Sequence, residues 1–144
     1  MAVHQILVLN VEVRIFVGLL IKKINDMKVL WLDDLRNPYK YMSRILNEIG
    51  LVEIDNLYWA TSFDVFKQCI IRHGLPDYIF FDHDLGLTEN GEVAPSGYDC
   101  AKWLVNYCLE QGIPTPSYFI QSMNPVGKEN IQSLIDNYNN LYVR

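Results

Sequence analysis

From Met27 onward, the chain alternates short apolar runs with stretches of helical periodicity. The apolar runs predict four strands, at residues 29–32, 57–60, 78–81 and 118–120. After each run, apolar side chains recur at the i, i+3, i+4 spacing of an amphipathic helix. The run at 78–81 is continuous, which is typical of a central strand buried on both faces. The pattern therefore predicts four strands that alternate with four helices.

Residues at the helix ends support these boundaries. Gly50 and Gly74 follow the first two apolar stripes, where glycine commonly ends a helix. Thr61, with Asp64 three residues later, resembles a capping box that opens the second helix. Asn124 directly precedes Pro125, which pairs a favoured cap residue with proline at the first helical position. The last helix is thus expected to begin at Pro125.

Alternating strands and helices predict an α/β fold, a doubly wound parallel sheet with helices on both faces. Neither an internal repeat nor a second domain is evident in the sequence. In open sheets of this kind, ligands bind beyond the carboxyl ends of the strands. The residues that follow each strand are therefore the candidates for function.

The first 26 residues differ from the rest of the chain. They are very apolar, but Glu12 and Arg14 divide them into runs shorter than the roughly 20 residues that cross a bilayer. No basic region precedes the apolar stretch, which argues against a signal peptide. We therefore divide the chain into an N-terminal extension, 1–26, and a domain, 27–144. The extension is either an added strand or hairpin, or the product of an upstream start codon.

Charge and cysteine content narrow the function classes. The formal net charge is −5, from 12 basic and 17 acidic residues, which disfavours binding a nucleic-acid backbone through bulk electrostatics. An anionic ligand would need a local positive group at its binding site, such as a bound cation, a helix N-terminus or an arginine side chain. Three scattered cysteines without a secretory signal indicate a reducing compartment, so we expect a cytoplasmic protein without a membrane anchor. The cysteines themselves are read as small buried hydrophobic residues.

Acidic residues follow two of the predicted strands. Asp33 and Asp34 end the first strand, and Asp82 and Asp84 follow the third, which makes four carboxylates. If these strands are neighbours, the carboxylates converge, and like charges at that spacing are unfavourable without compensation. A hard divalent cation with oxygen ligands, for which we expect Mg²⁺, would compensate them. Alternatively, the first two aspartates only begin a turn and cap the next helix.

Further polar residues at this edge suit phosphate chemistry. His83 and Asp84 after the third strand are candidate acid–base groups, with a structural role for the histidine as the alternative. Four residues are candidate phosphate ligands through a guanidinium, a hydroxyl and a helix start. They are Arg36, Ser122, Asn124 and Gly127. The arginine could instead form a surface ion pair, and the asparagine could act as a helix cap alone.

Four segments resemble known motifs. LWLDDLRNP, FFDHDLG, SGYDCAKWL and SMNPVGKENI are similar to those of the cyclic-phosphate processing receiver-like family, a divergent branch of response-regulator receiver domains. The resemblance covers roughly residues 28–137. It implies a receiver-like (flavodoxin-like) fold, a metal-binding pair at Asp33 and Asp34, an acceptor position at Asp82 and a phosphate-contacting hydroxyl at Ser122. It also implies activity on cyclic phosphates or phosphorylated nucleotide ends.

The sequence departs from a regular receiver at its C-terminal end. A regular receiver has a fifth strand preceded by a lysine that contacts the phosphoryl group, whereas residues 141–143 could form at most a stub of that strand. The edge of the fourth strand would then be unprotected, which is a pairing liability. We expect residues 1–26 or a second chain to cover it, and a homodimer through this edge is one outcome.

Three functions follow from these observations. The leading hypothesis is metal-dependent phosphate chemistry, with Asp82, His83 and Asp84 at the reacting centre and a cyclic-phosphate small molecule or nucleic-acid end as substrate. The second is a non-catalytic module that binds a nucleotide or a protein partner. The third is a receiver that is phosphorylated at Asp82. The absence of the phosphoryl-contacting lysine argues against this third function.

Overall fold

The computed structural model describes residues 10–17 and 26–142, and the core of this part is a parallel sheet. Its four strands are β1 (Lys28–Leu32), β2 (Asn56–Ala60), β3 (Tyr78–Phe81) and β4 (Ser117–Ile120). All neighbouring pairs are parallel, and the strand order is β2-β1-β3-β4. The predicted α/β fold with four core strands is confirmed.

Helices alternate with these strands. The described helices are α1 (10–17), a 3₁₀ helix (Pro38–Tyr41), α2 (Met42–Ile49), α3 (Phe63–His73), α4 (Gly97–Gln111) and α5 (Pro125–Tyr142). In this part of the chain, no helix combines the length and the apolar character that crossing a membrane requires. Leu141 and Tyr142 continue α5, so the suggested stub of a fifth strand is wrong at these two residues, and position 143 lies outside the described residues.

The larger hydrophobic core lies on one face of the sheet. There the side chains of Leu30, Leu32, Ile79 and Phe81 pack against α3, α4 and α5. These helices bury one apolar stripe each, and Cys100 and Cys108 belong to the stripe of α4. Burial raises the pKa of the Cys108 thiol to about 11, as expected for a cysteine that serves packing rather than chemistry.

The opposite face carries a smaller core. Val29, Trp31 and Phe80 pack there against Ile45 of α2, and Phe119 of β4 is only partly buried at the margin of this cluster. Among the described residues, α2 and the 3₁₀ helix cover this face, whereas α3, α4 and α5 cover the other. In the described part of the chain, β4 pairs with β3 alone and forms one edge of the sheet.

The strand register positions the functional edge. Leu32 of β1 is level with Phe81 of β3, and Phe81 is level with Ile120 of β4. The residues that follow these three strands therefore emerge side by side. Backbone hydrogen bonds continue one step further, because the amide of Asp82 donates to the carbonyl of Leu32 at 2.9 Å.

The described part of the N-terminal extension is not the strand or hairpin that was one of its two predicted explanations. Residues 10–17 are helical, so an added strand is wrong for this part of the extension. The segment NVEVRIFV is compatible with a strand and with a helix, and among the described residues no strand pairs with it. Residues 1–9 and 18–25 lie outside the described residues, and the alternative of an upstream start codon stays a prediction.

The cap of α3 is one residue later than predicted. Ser62, not Thr61, is the N-cap, and its Oγ accepts a hydrogen bond from the amide of Val65 at 3.3 Å. Asp64 lies in the first turn, where its charge favours the helix dipole, but it forms no reciprocal box with Thr61. A reciprocal capping box does open α4, between Ser96 and Asp99.

The two candidate caps can be separated by mutation. We expect Ser62→Ala to lower the free energy of unfolding by about 1 kcal/mol, because the amide of Val65 loses its acceptor. The matched change Thr61→Ala removes an exposed hydroxyl outside the helix and should leave stability within about 0.5 kcal/mol of wild type. Urea denaturation of both variants measures the difference. Equal losses would contradict the assignment of Ser62 as the cap.

Candidate functional site

Three carboxylates meet at the carboxyl edge of the sheet. One oxygen each of Asp33, Asp34 and Asp82 lies within 4.8 Å of the other two. Asp33 is fully buried, Asp82 is 9% exposed, and Asp34 is half-buried at the mouth. The convergence follows from the register, because β1 and β3 are neighbours. This buried acidic cluster could bind a metal ion.

Arg36 lies against two of these carboxylates. Its Nε is 2.5 Å from Asp33 Oδ2, and its Nη2 is 3.3 Å from Asp82 Oδ2. The loop bends back at Asp33, whose Oδ1 accepts from the amides of Leu35 and Arg36 at 3.0 and 2.7 Å. This side-chain turn places the guanidinium over the cluster. Arg36 thus compensates part of the negative charge, and its role as a phosphate ligand stays a prediction.

The pKa values report this balance. Burial raises the pKa of Asp82, the neighbouring Asp33 raises it further, and Arg36 opposes both effects without cancelling them. Burial alone would lower the pKa of Arg36, but Asp33 and Asp82 reverse that effect, so the pKa of Arg36 is raised. Arg36 therefore stays cationic, while Asp82 holds a proton more readily than an exposed aspartate.

Gln121 is part of the site and was not among the predicted site residues. It follows β4 as Asp33 follows β1, and it is 7% exposed. Its Nε2 donates to Asp33 Oδ2 at 3.3 Å, and its carbonyl accepts from Arg36 Nη1 at 3.2 Å. A polar side chain directly after a strand was the available signal. The opposite end of its amide, Oε1, is buried without a partner among the described residues.

Two indoles hold the loop after β1. Trp59 Nε1 donates to the carbonyl of Asp33 at 2.8 Å, and Trp31 Nε1 donates to the carbonyl of Arg36 at 2.8 Å. The sequence does not reveal these bonds, because an indole N–H becomes a positioning group only when its partner is known. The backbone that carries the cluster is fixed from both sides.

His83 and Asp84 form a pair beside the cluster. His83 Nδ1 lies 2.9 Å from Asp84 Oδ1 and 3.4 Å from Asn124 Nδ2. In the described part of the chain, His83 Nε2 has no hydrogen-bond partner. With the proton on Nδ1 shared with Asp84, Nε2 is left as a free acceptor. The arrangement suits a histidine that exchanges a proton through Nε2.

Two glycines allow the close approach of these elements. A Cβ on Gly127 would lie 2.3 Å from the ring of His83, so the first turn of α5 packs directly on the imidazole. A Cβ on Gly97 would lie 1.8 Å from the carbonyl oxygen of Asp82, which fixes the start of α4 against β3. Larger residues at either position would displace the site. Gly97 was not among the predicted site residues.

The start of α5 is partly occupied by its own cap. Asn124 Oδ1 accepts from the amide of Gly127 at 2.9 Å, and Ser122 Oγ accepts from the amide of Asn124 at 3.1 Å. Pro125 has no N–H to offer. Among the described residues, the first-turn amide of Val126 forms no hydrogen bond. Phosphate ligation by Ser122, Asn124 and Gly127 stays a prediction. Fewer backbone N–H groups are available for it than at a helix start without proline.

Two depressions contain six of the nine predicted site residues, and Ser122, Asn124 and Gly127 line neither of them. An open one of about 440 Å³ is lined by the three aspartates of the cluster and the rim around them. Its other lining residues are Leu35, Arg36, Asp84, Gly86 and Met123. A smaller one of about 210 Å³ holds His83 beside Ser96. Asp84 lines both, so the carboxylate that pairs with the histidine also faces the acidic cluster.

Comparison with known families identifies this chain. A sequence profile of the cyclic-phosphate processing receiver domain matches residues 28–137. The chain therefore belongs to this family, and the resemblance of its four motifs is confirmed. No curated protein gives a significant match.

Two solved structures resemble the chain at low identity. One is a yeast Spc42 trimeric coiled-coil fusion, 21% identical, with a TM-score of 0.47 over 76% of this chain. The chain spans 63% of the length of that fusion protein. The other is the N-terminal domain of a response regulator/sensory box/GGDEF protein from Carboxydothermus hydrogenoformans, 19% identical, with a TM-score of 0.45 over 80% of this chain and 95% of that chain. The family and the observed sheet order make this a receiver-like α/β fold.

The raised pKa of Asp82 predicts how stability depends on pH. Its carboxyl stabilises the fold below its ordinary pKa of 3.8, and that contribution is lost as the pH rises through the higher folded-state value. We therefore expect Asp82→Asn to raise the melting temperature at neutral pH in the absence of divalent ions. The gain should shrink toward zero as the pH falls below about 4.

Thermal unfolding followed across this pH range, with a metal chelator present, measures the effect. Asp55→Asn, at an exposed position outside the cluster, is the matched control and should show no such pH-dependent gain. An Asp82→Asn protein that is less stable than wild type at neutral pH would contradict the electrostatic account of the cluster.

Proposed function

We propose that this domain carries out Mg²⁺-dependent chemistry on a cyclic phosphate or a phosphorylated nucleotide end. The observation that carries the proposal is the acidic cluster beside the His83–Asp84 pair, in a member of the cyclic-phosphate processing family. An anionic substrate could reach this edge of the sheet only after the negative charge of the acidic cluster is compensated. The proposed function therefore requires a cation at the cluster.

The donor set fits a hard divalent cation. Asp33, Asp34 and Asp82 offer carboxylate oxygens only, which are the ligands that Mg²⁺ prefers. Three carboxylates and one guanidinium leave a formal charge of −2, which one Mg²⁺ would neutralise. When bound, such an ion would polarise the phosphoryl oxygens of the substrate. Arg36 shares two of these carboxylates, so it would hold their geometry at the inner side of the cluster.

The histidine pair supplies the proton transfer in this proposal. Asp84 holds the proton of His83 on Nδ1 and stabilises the imidazolium that forms when Nε2 accepts a proton. Nε2 would take the proton of an attacking water, and the imidazolium would return a proton to the leaving oxygen. Contact with Gly127 fixes the plane of the ring. Catalysis is thereby assigned to His83 and Asp84, beside Asp82.

Phosphate positioning is assigned to the loop between β4 and α5. Ser122 presents a hydroxyl, Val126 presents a free amide, and Asn124 presents the amide nitrogen that already lies near His83. Arg36 would contribute through the outer edge of its guanidinium. Met123 of this loop lines the depression of the acidic cluster, and Asp84 lines both that depression and the one that holds His83.

One observation favours a second candidate function. Arg36 forms ion pairs with two carboxylates of the cluster and so neutralises part of its charge. A domain with this built-in cation could bind a phosphorylated nucleotide without turning it over, as a sensor or a sequestering module. This candidate predicts stabilisation by nucleotide without product.

Activity measurements separate the two candidates. We expect the full chain to hydrolyse a 2′,3′-cyclic nucleotide in the presence of Mg²⁺ and to lose activity when the metal is chelated. His83→Gln should lower kcat by about 10²–10⁴-fold, because acid–base catalysis typically contributes that much. Asp84→Asn should lower kcat less, since the imidazole remains.

Glu110→Gln is the matched control, because this exposed carboxylate lies at the far end of α4. Product analysis by liquid chromatography and mass spectrometry reports the turnover. No product from 2′,3′-cyclic nucleotides or cyclic oligonucleotides, together with nucleotide-dependent thermal stabilisation, would favour the binding module. A fully active His83→Gln enzyme would exclude the assigned role of the histidine.

A further inference from the structure

The sheet face that α2 covers has an open groove at its β4 side. The groove has a volume of about 440 Å³ and lies between α2 and α5. Its floor contains Phe80 and Phe119, and its rim carries Arg44, Glu48 and Lys128. We call it the β4 groove. On the opposite face of the sheet, the equivalent space is filled by packed helices.

The backbone edge beside this groove is also open. The amides of Ser117 and Gln121 donate to carbonyls of the β3 side at 3.1 and 2.9 Å. Because successive residues of a strand face opposite neighbours, the backbone groups of Tyr118 and Ile120 face away from β3. In the described part of the chain, no strand pairs with them. The β4 groove and this edge form one continuous incomplete surface.

Helix α1 carries apolar side chains that are exposed to solvent. Five of its eight residues are large and apolar, and each is between 45% and 64% exposed. They are Val11, Val13, Ile15, Phe16 and Val17. A cluster of this kind usually marks a contact surface rather than a solvent-facing helix. Something in the protein or its surroundings is therefore expected to cover α1.

The chain between the two surfaces is long enough to join them. Ten residues, 18–27, separate α1 from β1. Fully extended, ten residues reach roughly 33 Å. The distance from β1 across β3 to the outer side of β4 is three strand spacings, about 14 Å. A connection within one chain is therefore geometrically permitted.

Charge on the two surfaces is compatible with contact. The rim of the β4 groove has both signs, with Arg44 and Lys128 against Glu48. Helix α1 also has both signs, at Glu12 and Arg14. Neither surface has a single-sign field that would repel the other. We infer that α1 docks in the β4 groove of its own chain and supplies the cover that this side of the sheet lacks.

A site-specific photo-crosslinker tests this contact in the full chain. We would place p-benzoylphenylalanine at Gln132, which is exposed and lines the β4 groove, and at Glu53 as an exposed control outside it. Crosslinked peptides from the monomer are then mapped by mass spectrometry. The inference predicts that the probe at position 132 captures residues 10–17 of the same chain, and that the probe at position 53 does not. Capture of 10–17 from a second chain would overturn it in favour of a dimer, and no capture would overturn it outright.

Hydrogen exchange provides a second readout. Phe16→Asp should increase amide exchange of Ser117–Ile120 several-fold, because the charge would expel α1 from the groove. Val52→Asp, a matched change at a residue that is 94% exposed, should leave that exchange unchanged. Unchanged exchange in Phe16→Asp would contradict the inference. Protection of 10–17 only after addition of anionic phospholipid vesicles would also contradict it and would assign α1 to a membrane surface.

Discussion

A buried carboxylate at the end of β1 is the constraint on which the site depends. Asp33 is fully buried, and an uncompensated ion there would be strongly unfavourable. Its oxygens accept from two backbone amides, from Arg36 Nε and from Gln121 Nε2. Each partner is thereby fixed in position. The loop after β1, the end of β4 and the guanidinium are arranged around this one charge.

The same requirement explains why the functional residues converge. Parallel pairing in register brings Asp82 beside Asp33, and Arg36 bridges the two. The close approach of Gly97 to Asp82 and of Gly127 to His83 seats two helix starts on this edge. Burial and then the neighbouring Asp33 raise the pKa of Asp82, and Arg36 offsets only part of that rise. The site retains unneutralised negative charge at its open side, which is the physical basis for expecting a cation there.

Much of the fold could be predicted from the sequence because local signals agreed with one another. The continuous run at 78–81 and the pair Asn124-Pro125 marked β3 and the start of α5 correctly. The convergence of the three aspartates followed from strand order alone. Helix α1 was not predicted, because apolar side chains in so short a segment fit both the period of a helix and that of a strand. The cap at Ser62 was missed because Thr61 also satisfies the cap preference.

The rest of the site depends on distances that a sequence does not contain. Gln121 and Trp59 form hydrogen bonds with Asp33 across 88 and 26 positions of sequence, and Trp31 bonds to Arg36 across a short loop. Their part in the site could be recognised only once these partners were known. Arg36 was predicted to face phosphate, but its contacts with Asp33 and Asp82 place it first among the groups that stabilise the cluster. Residue type suggested the chemistry, and the fold determined which charges meet.

The most direct test of this account is the binding of Mg²⁺ to the full chain, measured by isothermal titration calorimetry. Asp34→Asn is the informative variant, because Asp34 belongs to the cluster but forms no hydrogen bond or ion pair among the described residues. The account predicts one saturable Mg²⁺ site per chain in the wild type and an affinity lower by about tenfold or more in Asp34→Asn, since one carboxylate ligand is lost. No saturable binding, or equal affinity in the two proteins, would contradict it.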